Sequence, residues 1–294
     1  MTLHVKILPI AATLALLAPA VAAAAPGGEA APAVTHASAP PVAGQGAPLV
    51  AHKVNYDLTL ASSFGAKAPT AINGRISFDF TGDACDGYSQ TFRQFTELQS
   101  DEGPARVSDM SAVTYEDPAG RTFRFKLETR QNGAPAEQVD GRATRSDDGA
   151  LSVALERPKR AAFDVAKDVM FPTAHMLRVL DSARAGRPMF EAKVFDGTDS
   201  GEKVYDTLTV IGKPIVGVPA EKAAQTPELA ALRRWPVAIS YFEEGKKDSA
   251  PHYVLSFDLY ENGVSRALKL DYGEFVLKGE MTKLEFLPVK ACTK

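Results

Sequence analysis

The sequence is poor in the residues that mark redox, zinc-binding and nucleic-acid-binding proteins. It has two cysteines in 294 residues, Cys85 and Cys292, and their separation excludes a Cys-x-x-Cys zinc knuckle or redox motif. Lysine and arginine total 33 against 36 aspartates and glutamates, for a formal net charge of −3 at pH 7. Because the basic residues are scattered, we expect no nucleic acid partner and no strong electrostatic attachment to an anionic membrane.

Catalytic motifs are scarce as well. Ser200 lies in an Asp-Ser-Gly sequence, but the second glycine of a nucleophile elbow is missing and no helix is predicted to follow, so we expect a polar hairpin loop. His175 has no cysteine, second histidine or carboxylate pair at ligand spacing, and we expect it to hydrogen-bond a carbonyl group near a helix N-terminus. In the loop that starts at Asp196, Thr207 stands where a calcium loop needs a glutamate. The sequence therefore predicts no catalytic residue, no metal and no cofactor, and a hydrolase that uses His175 or Ser200 is the weakest alternative.

The first 48 residues have the composition of segments that export and tether a protein. Lys6 precedes a short apolar run and a series of alanines, which predicts a secretory signal peptide over residues 1–25, cleaved after Ala22 or Ala24. The run is too short and wrongly flanked for a spanning helix, so we expect no transmembrane segment in the mature chain. Residues 26–48 are rich in alanine, proline and glycine and predict a disordered tether. We expect a soluble protein of the periplasm.

The two cysteines stand in a chain that we expect to be exported. An oxidising compartment favours pairing, and an even count leaves no orphan thiol, so a structural disulfide between Cys85 and Cys292 is the first interpretation. Two buried free thiols are the alternative.

From Leu49 onward the sequence alternates between apolar and polar residues, as half-buried β-strands do. Residues 54–60 are one such series, and Asn262-Gly263 between two later series is typical of a β-hairpin. Connections this short cannot carry the crossovers of a parallel sheet. We therefore predict a single mainly β domain over residues 49–294, with about a dozen antiparallel strands around one principal helix.

The principal helix is predicted near residues 173–185. Thr173 is the expected N-cap, and Gly186 followed by Pro188 is expected to end the helix. One wide face is apolar and needs a hydrophobic surface, which strands curling round the helix would supply. The residues expected to pack there are Met176, Leu177, Val179, Leu180 and Ala183.

Aromatic residues are frequent in the later strands. Most of them are expected in the core or in cross-strand pairs. A sheet that curls without closing leaves a concave apolar surface beside the helix, so some aromatic side chains could line a groove there. The candidates are Tyr205, Trp235 and Tyr241.

Several segments, in the same order along the chain, together resemble the cell-envelope integrity EipB family of periplasmic proteins. They are residues 82–88, 171–177, 196–207, 235–242, and 259–266 with 270–273. The resemblance runs from about Leu49 to Cys292. The N-terminal tether is longer than expected for that family, which leaves the domain assignment unchanged.

The resemblance carries expectations about fold, partner and process. It implies a monomeric β-spiral, an open, broken barrel of antiparallel strands wound about a helix, with a disulfide between Cys85 and Cys292. It also implies a role in keeping the envelope intact under stress, and a functional link to a periplasmic tetratricopeptide-repeat protein. It implies no enzymatic reaction.

Two functional hypotheses follow from the sequence. The first is a non-enzymatic periplasmic protein that supports cell envelope integrity and resistance to envelope stress through protein–protein binding. The alternative is a periplasmic carrier that holds a lipid or a lipoprotein acyl chain in the concave sheet.

Overall fold

A computed structural model of the chain describes residues 49–65, 68–101, 103–246 and 248–288. The predicted signal peptide (1–25) and tether (26–48), as well as Cys292, lie outside the described residues. The described part is mainly β, with fifteen strands in one sheet. It contains one helix of thirteen residues.

The helices and strands follow one another in this order. The strands are β1 (His52–Ser63), β2 (Ala71–Asp83), β3 (Gly87–Gln99), β4 (Arg106–Glu116), β5 (Thr122–Gln131), β6 (Ala134–Arg145), β7 (Leu151–Arg157), β8 (Ala161–Val165), β9 (Val169–Met170), β10 (Met189–Val194), β11 (Tyr205–Ile211), β12 (Arg234–Glu243), β13 (Tyr253–Tyr260), β14 (Ser265–Asp271) and β15 (Phe275–Phe286). The helices are α1 (Pro172–Arg184) and a short α2 (Pro227–Ala230), with 3-10 turns at Asp199–Gly201 and Lys222–Ala224.

The sheet consists of two meandering arms joined at the first and last strands. Its order is β8-β7-β6-β5-β4-β3-β2-β1-β15-β14-β13-β12-β11-β10-β9, so that β1–β8 form the first arm and β9–β15 the second arm. β1 and β15 pair antiparallel, with Leu58 opposite Gly279. All neighbouring strands are antiparallel except β9 and β10, which are parallel over two residue pairs.

The predicted antiparallel sheet around one helix is confirmed, with fifteen strands where about a dozen were expected. Two of the additional strands, β8 and β9, have only five and two residues. Segments this short contain too little alternation to be recognised from the sequence.

Two Asn-Gly turns close hairpins of the sheet. Asn132 and Gly133 both have positive φ angles, 50° and 81°, between β5 and β6. A type I′ turn needs a positive φ at both central residues, which explains the preference for Asn-Gly. Asn262-Gly263 joins β13 to β14. The hairpin predicted from this second pair is therefore present.

Side-chain packing brings the ends of the two arms together. Phe195, just after β10, contacts Phe125 of β5 edge to face, with 5.5 Å between ring centroids. Arg145 of β6 donates hydrogen bonds to the carbonyl oxygens of Lys167 at 2.8 Å and Val169 at 2.5 Å. These contacts link β5 and β6 to the segment around β9 and β10, and the sheet is nearly closed into a barrel-like form.

Helix α1 packs against residues of both arms. Val179 and Leu180 are fully buried in an apolar cluster that includes Phe80 of β2 and Trp235 of β12. Because its apolar face meets strands from both arms, the helix occupies the interior of the curled sheet. The remaining residues predicted to pack on this side are buried Ala183 and half-buried Met176 and Leu177.

The two ends of helix α1 use different capping devices. At the C-terminus, Gly186 has a φ of 66° and donates its N–H to Ala183, while Arg187 donates to Ser182, which is a Schellman motif. At the N-terminus the predicted cap, Thr173, is wrong: the N-cap is Phe171, and Pro172 occupies the first helical position. Proline suits that position because its φ is already helical and it has no N–H to leave unpaired.

Candidate functional site

An interior cavity of about 300 Å³ lies between helix α1 and strands of both arms. Its volume falls at the lower end of that of small-molecule binding sites. Most of its wall is apolar. The helix contributes Pro172, Thr173, His175, Met176 and Val179. The aromatic side chains from the sheet are Tyr56, Phe78, Phe80, Phe92, Tyr241, Tyr253 and Phe257.

The alternation of the strands places apolar side chains on the cavity wall. On β4, Met110, Ala112 and Thr114 line the cavity, whereas the intervening Val113 is 50% exposed on the outside. Successive side chains of a strand point to opposite faces, so every second residue reaches the interior. The cavity is therefore a direct consequence of the two-residue period and the curl of the sheet.

A carboxylate from the first arm positions the helix at the edge of the cavity. Glu116, at the end of β4, accepts hydrogen bonds from the backbone N–H groups of Thr173 at 2.9 Å and Ala174 at 3.1 Å. Burial raises the pKa of Glu116 to about 7, and the two N–H donors oppose that rise. This side chain takes the capping role that the sequence assigned to Thr173.

The loop between β10 and β11 closes one side of the cavity. The expected polar hairpin loop is largely buried: Thr198 and Asp199 are each 8% exposed. Its glycines have positive φ angles, and a Cβ atom on Gly197 would lie 2.4 Å from the ring of Phe125. Only glycine allows the loop to approach β5 this closely.

Asp196 brings a carboxyl group to this mostly apolar wall. Its Oδ1 accepts hydrogen bonds from the backbone N–H of Thr198 at 3.0 Å and from the Thr198 hydroxyl at 2.6 Å. Burial raises the pKa of Asp196 to about 6; the Thr198 bonds oppose this rise, and the neighbouring Asp199 adds to it. Asp199 itself is paired with Lys203 at 2.6 Å.

Two stacked tyrosines line the cavity near Asp196. The rings of Tyr241 and Tyr253 are nearly parallel, at 9°, with centroids 4.4 Å apart. Burial, and then the charge of Asp196, raise the pKa of Tyr241. Both phenols therefore stay protonated at neutral pH and can act as hydrogen-bond donors.

His175 lines the cavity as a neutral side chain. Its Nε2 lies 3.4 Å from the hydroxyl of Thr209, and its ring meets Phe190 edge to face. Burial lowers the pKa of His175 to about 4. The expected hydrogen bond to a carbonyl group is replaced by this contact with a hydroxyl, because β11 places Thr209 beside the helix.

Of the three aromatic residues predicted to line a groove, one lines the cavity and two do not. Tyr241 lines the cavity, but Tyr205 and Trp235 are buried outside its wall, which corrects that part of the prediction. The Tyr205 hydroxyl donates to Asp199 at 2.8 Å, inside the loop. Trp235 packs in the helix cluster, with the guanidinium of Arg233 5.4 Å from its ring centroid.

Ser200 and Cys85 do not line the cavity. The Ser200 hydroxyl donates to the backbone carbonyl of Asp199 at 2.5 Å. Cys85 lies in the turn between β2 and β3, where its N–H donates to the Asp83 carboxylate at 2.7 Å. Since Cys292 lies outside the described residues, the pairing of the two cysteines stays a prediction.

Metal-ligand clusters and membrane-spanning helices are both absent from the described part of the chain. In those residues no group of three or more histidine, cysteine, aspartate or glutamate side chains has an arrangement that could hold a metal ion. Within the same ranges, no helix has the length and apolar composition to cross a membrane.

Glu116 and Asp196 were missed by the sequence reasoning, although both shape the cavity. Each lies next to a turn, where acidic residues usually indicate only loop chemistry. A signal for Asp196 was present in the sequence: Asp196-Gly197 follows an apolar strand, and residues 196–207 are one of the segments that carry the family resemblance. No local signal shows that Glu116 would meet a helix 57 residues later.

Comparisons with known proteins agree with this architecture. A family model described as EipB-like matches residues 43–288. The cell envelope integrity protein EipB of Brucella abortus (strain 2308) is 35% identical over 238 residues, which cover 81% of this chain and 84% of the relative. The crystal structure of a beta-barrel-like protein from Brucella abortus has a TM-score of 0.76 and 34% identity, covering 82% of this chain and 99% of that one.

Proposed function

Because the chain belongs to the EipB-like family, we propose that it helps to maintain the integrity of the cell envelope, as a non-enzymatic binding protein of the periplasm. The name of the 35% identical relative supports the process. The predicted signal peptide supports the compartment.

The observation that carries a molecular role is the apolar cavity between helix α1 and the sheet. We propose that this cavity holds a lipid or the acyl chain of a lipoprotein. Transfer of an alkyl chain from water to such a wall releases roughly 0.8 kcal/mol for each buried CH₂ group. A cavity of about 300 Å³ can take part of one chain, so the protein would shield an acyl chain from water rather than enclose a whole phospholipid.

Native mass spectrometry of protein isolated from periplasm without detergent tests this role. We expect adducts that are lost on unfolding and that contain acyl chains. Protein that is bare in every preparation would contradict the acyl-chain proposal.

Two substitutions on β4 provide a matched pair for that experiment. Ala112→Trp fills the cavity, and Val113→Trp places the same side chain on the outer face of the same strand. We expect Ala112→Trp to lose the adducts and Val113→Trp to keep them. In a deletion strain challenged with detergent, only the Val113→Trp variant should restore survival. Equal rescue by both variants would show that the envelope role does not need the cavity.

A second candidate role, binding to a protein partner, is favoured by an exposed pair of valines. Val216 and Val218 are 74% and 81% exposed on the loop before α2. The carbonyl of Gly217 between them accepts a hydrogen bond from Arg234 at 2.8 Å, which fixes the loop to β12. Two apolar side chains held in water on a fixed loop are suited to an apolar groove on another protein.

The partner implied by the family resemblance is a periplasmic tetratricopeptide-repeat protein, whose stacked repeats form concave binding surfaces. The test is direct binding between the two purified proteins. Val216→Asp combined with Val218→Asp should abolish binding, while Val113→Asp, on a different exposed surface, should not. Binding that survives the double substitution would exclude this surface.

A further inference from the structure

The cavity also carries an indication of the head group of its ligand, an inference that rests on the proposed acyl-chain function. We infer that the cavity binds an amphiphile whose head is a protonated amine, with Asp196 as the acceptor and the Tyr241–Tyr253 pair beside it.

The charges of the cavity wall are of one sign. Among the described residues that line the cavity, Asp196 is the one with a carboxyl group, and none is lysine or arginine. The two histidines of the wall, His52 and His175, have pKa values lowered by burial and stay neutral at pH 7. A carboxylate, phosphate or sulfate head would therefore meet the negative charge of Asp196 without a compensating cation.

The carboxyl group of Asp196 has acceptor capacity left for a ligand. A carboxylate has about four lone-pair sites on its two oxygens. Among the other described residues, Thr198 is the one that donates to it, and both of those bonds go to Oδ1. The backbone N–H of Asp196 itself takes one further site, so about one of the four sites is left to accept from an ammonium group, in a charge-assisted hydrogen bond.

The stacked tyrosines add a second element of amine recognition. An ammonium group within about 6 Å of an aromatic ring is attracted by the negative face of the ring. Both rings line the same cavity as Asp196. Tyr205, whose hydroxyl donates to Asp199, meets the ring of Tyr241 edge to face at 6.1 Å, which connects the tyrosine pair to the loop that contains Asp196. A carboxylate with adjacent aromatic rings favours an amine over a neutral head of the same size.

Three ligands with the same alkyl chain distinguish the effect of the head group on affinity from that of the chain. They are dodecylamine, dodecanol and dodecanoate. Each is titrated below its aggregation concentration into detergent-free protein, by displacement of a fluorescent apolar probe. We expect dodecylamine to bind on the order of tenfold more tightly than dodecanol, the effect of one hydrogen bond to a charged group, and dodecanoate to bind most weakly. Equal affinities for amine and alcohol would overturn the inference, and no binding of any of the three would overturn the acyl-chain function itself.

The variant Asp196→Asn should weaken dodecylamine binding on the order of tenfold, so that its preference over dodecanol disappears. Asp109→Asn is its matched control, since it makes the same change in net charge on the outer face of β4, where Asp109 is paired with Arg93. An amine preference that persists in Asp196→Asn, or that falls equally in Asp109→Asn, would contradict the assignment of Asp196. If Asp196→Asn does not fold, the order of the three ligands on the wild-type protein decides the inference.

Discussion

The carboxylate of Glu116 accepts hydrogen bonds from the N–H groups of Thr173 and Ala174, so that the last residue of β4 caps helix α1. A helix begins with N–H groups that have no intrahelical acceptor, and a buried beginning needs an acceptor from elsewhere. Here it comes from the first arm of the sheet. The helix that forms one wall of the cavity is therefore fixed to the strand that forms another.

Replacing this acceptor should destabilise the whole domain. In Glu116→Ala, two N–H groups at the buried helix start lose their partner, and we expect a loss on the order of 2 kcal/mol in the free energy of unfolding, measured by urea denaturation. Glu156→Ala removes a glutamate from an exposed pair with Arg160 and should cost less than about 0.5 kcal/mol. A Glu116→Ala variant as stable as the Glu156→Ala variant would show that the cap contributes nothing.

His175 should make stability depend on pH. Its pKa is about 4 in the folded protein and 6.5 when unperturbed, so between these values the unfolded chain binds a proton that the folded protein does not. The contribution of His175 to stability is fully present above pH 6.5 and is lost as the pH falls toward 4. The total loss in unfolding free energy is on the order of 3 kcal/mol, at 1.36 kcal/mol per pH unit.

The measurement compares wild type with His175→Gln over this range. Glu116 and Asp196 have raised pKa values, so they act in the opposite direction, toward lower stability as the pH rises through their titration. Both are present in the two proteins and cancel in the difference. A difference in unfolding free energy that does not change between pH 6.5 and 4 would contradict the burial of a neutral His175.

The close approach of the β10–β11 loop to β5 should make Gly197 intolerant of substitution. Gly197→Ala adds a methyl group 2.4 Å from the ring of Phe125, at a φ of 76°, and we expect a loss on the order of 3 kcal/mol. Gly149 also has a positive φ but has open space around it, so Gly149→Ala should cost only about 1 kcal/mol. Thermal melts of both variants test this order, and equal losses would mean that the loop can move away from β5.

The predicted disulfide joins the turn after β2 to the end of the chain. Cys85→Ser, Cys292→Ser and the double variant should lose the same stability, at most about 5 kcal/mol, because any one of them breaks the same bond. Reductant should lower the melting temperature of the wild type and leave the double variant unchanged. Two free thiols in the unfolded, unreduced protein would falsify the pairing.

The sequence determined those features that depend on residues close together in the chain. The alternation in residues 54–60 and the Asn-Gly pair at 262–263 were sufficient for strands and hairpins, because side-chain direction in a strand and the φ of a turn are local properties. The end of helix α1 at Gly186 could be predicted for the same reason. Strands β8 and β9 are too short to have a detectable period.

Only the tertiary structure decided the cavity and its polar wall. Asp196 and Tyr253 are 57 positions apart in the printed sequence, and they line one cavity because the second arm curls back past the helix. Glu116 replaced Thr173 as the helix cap for a similar reason, since a strand end and a helix start meet only after the sheet has curled. A local pattern determines which face of a strand is apolar, whereas the curvature of the whole sheet determines which apolar faces meet and what space they leave between them.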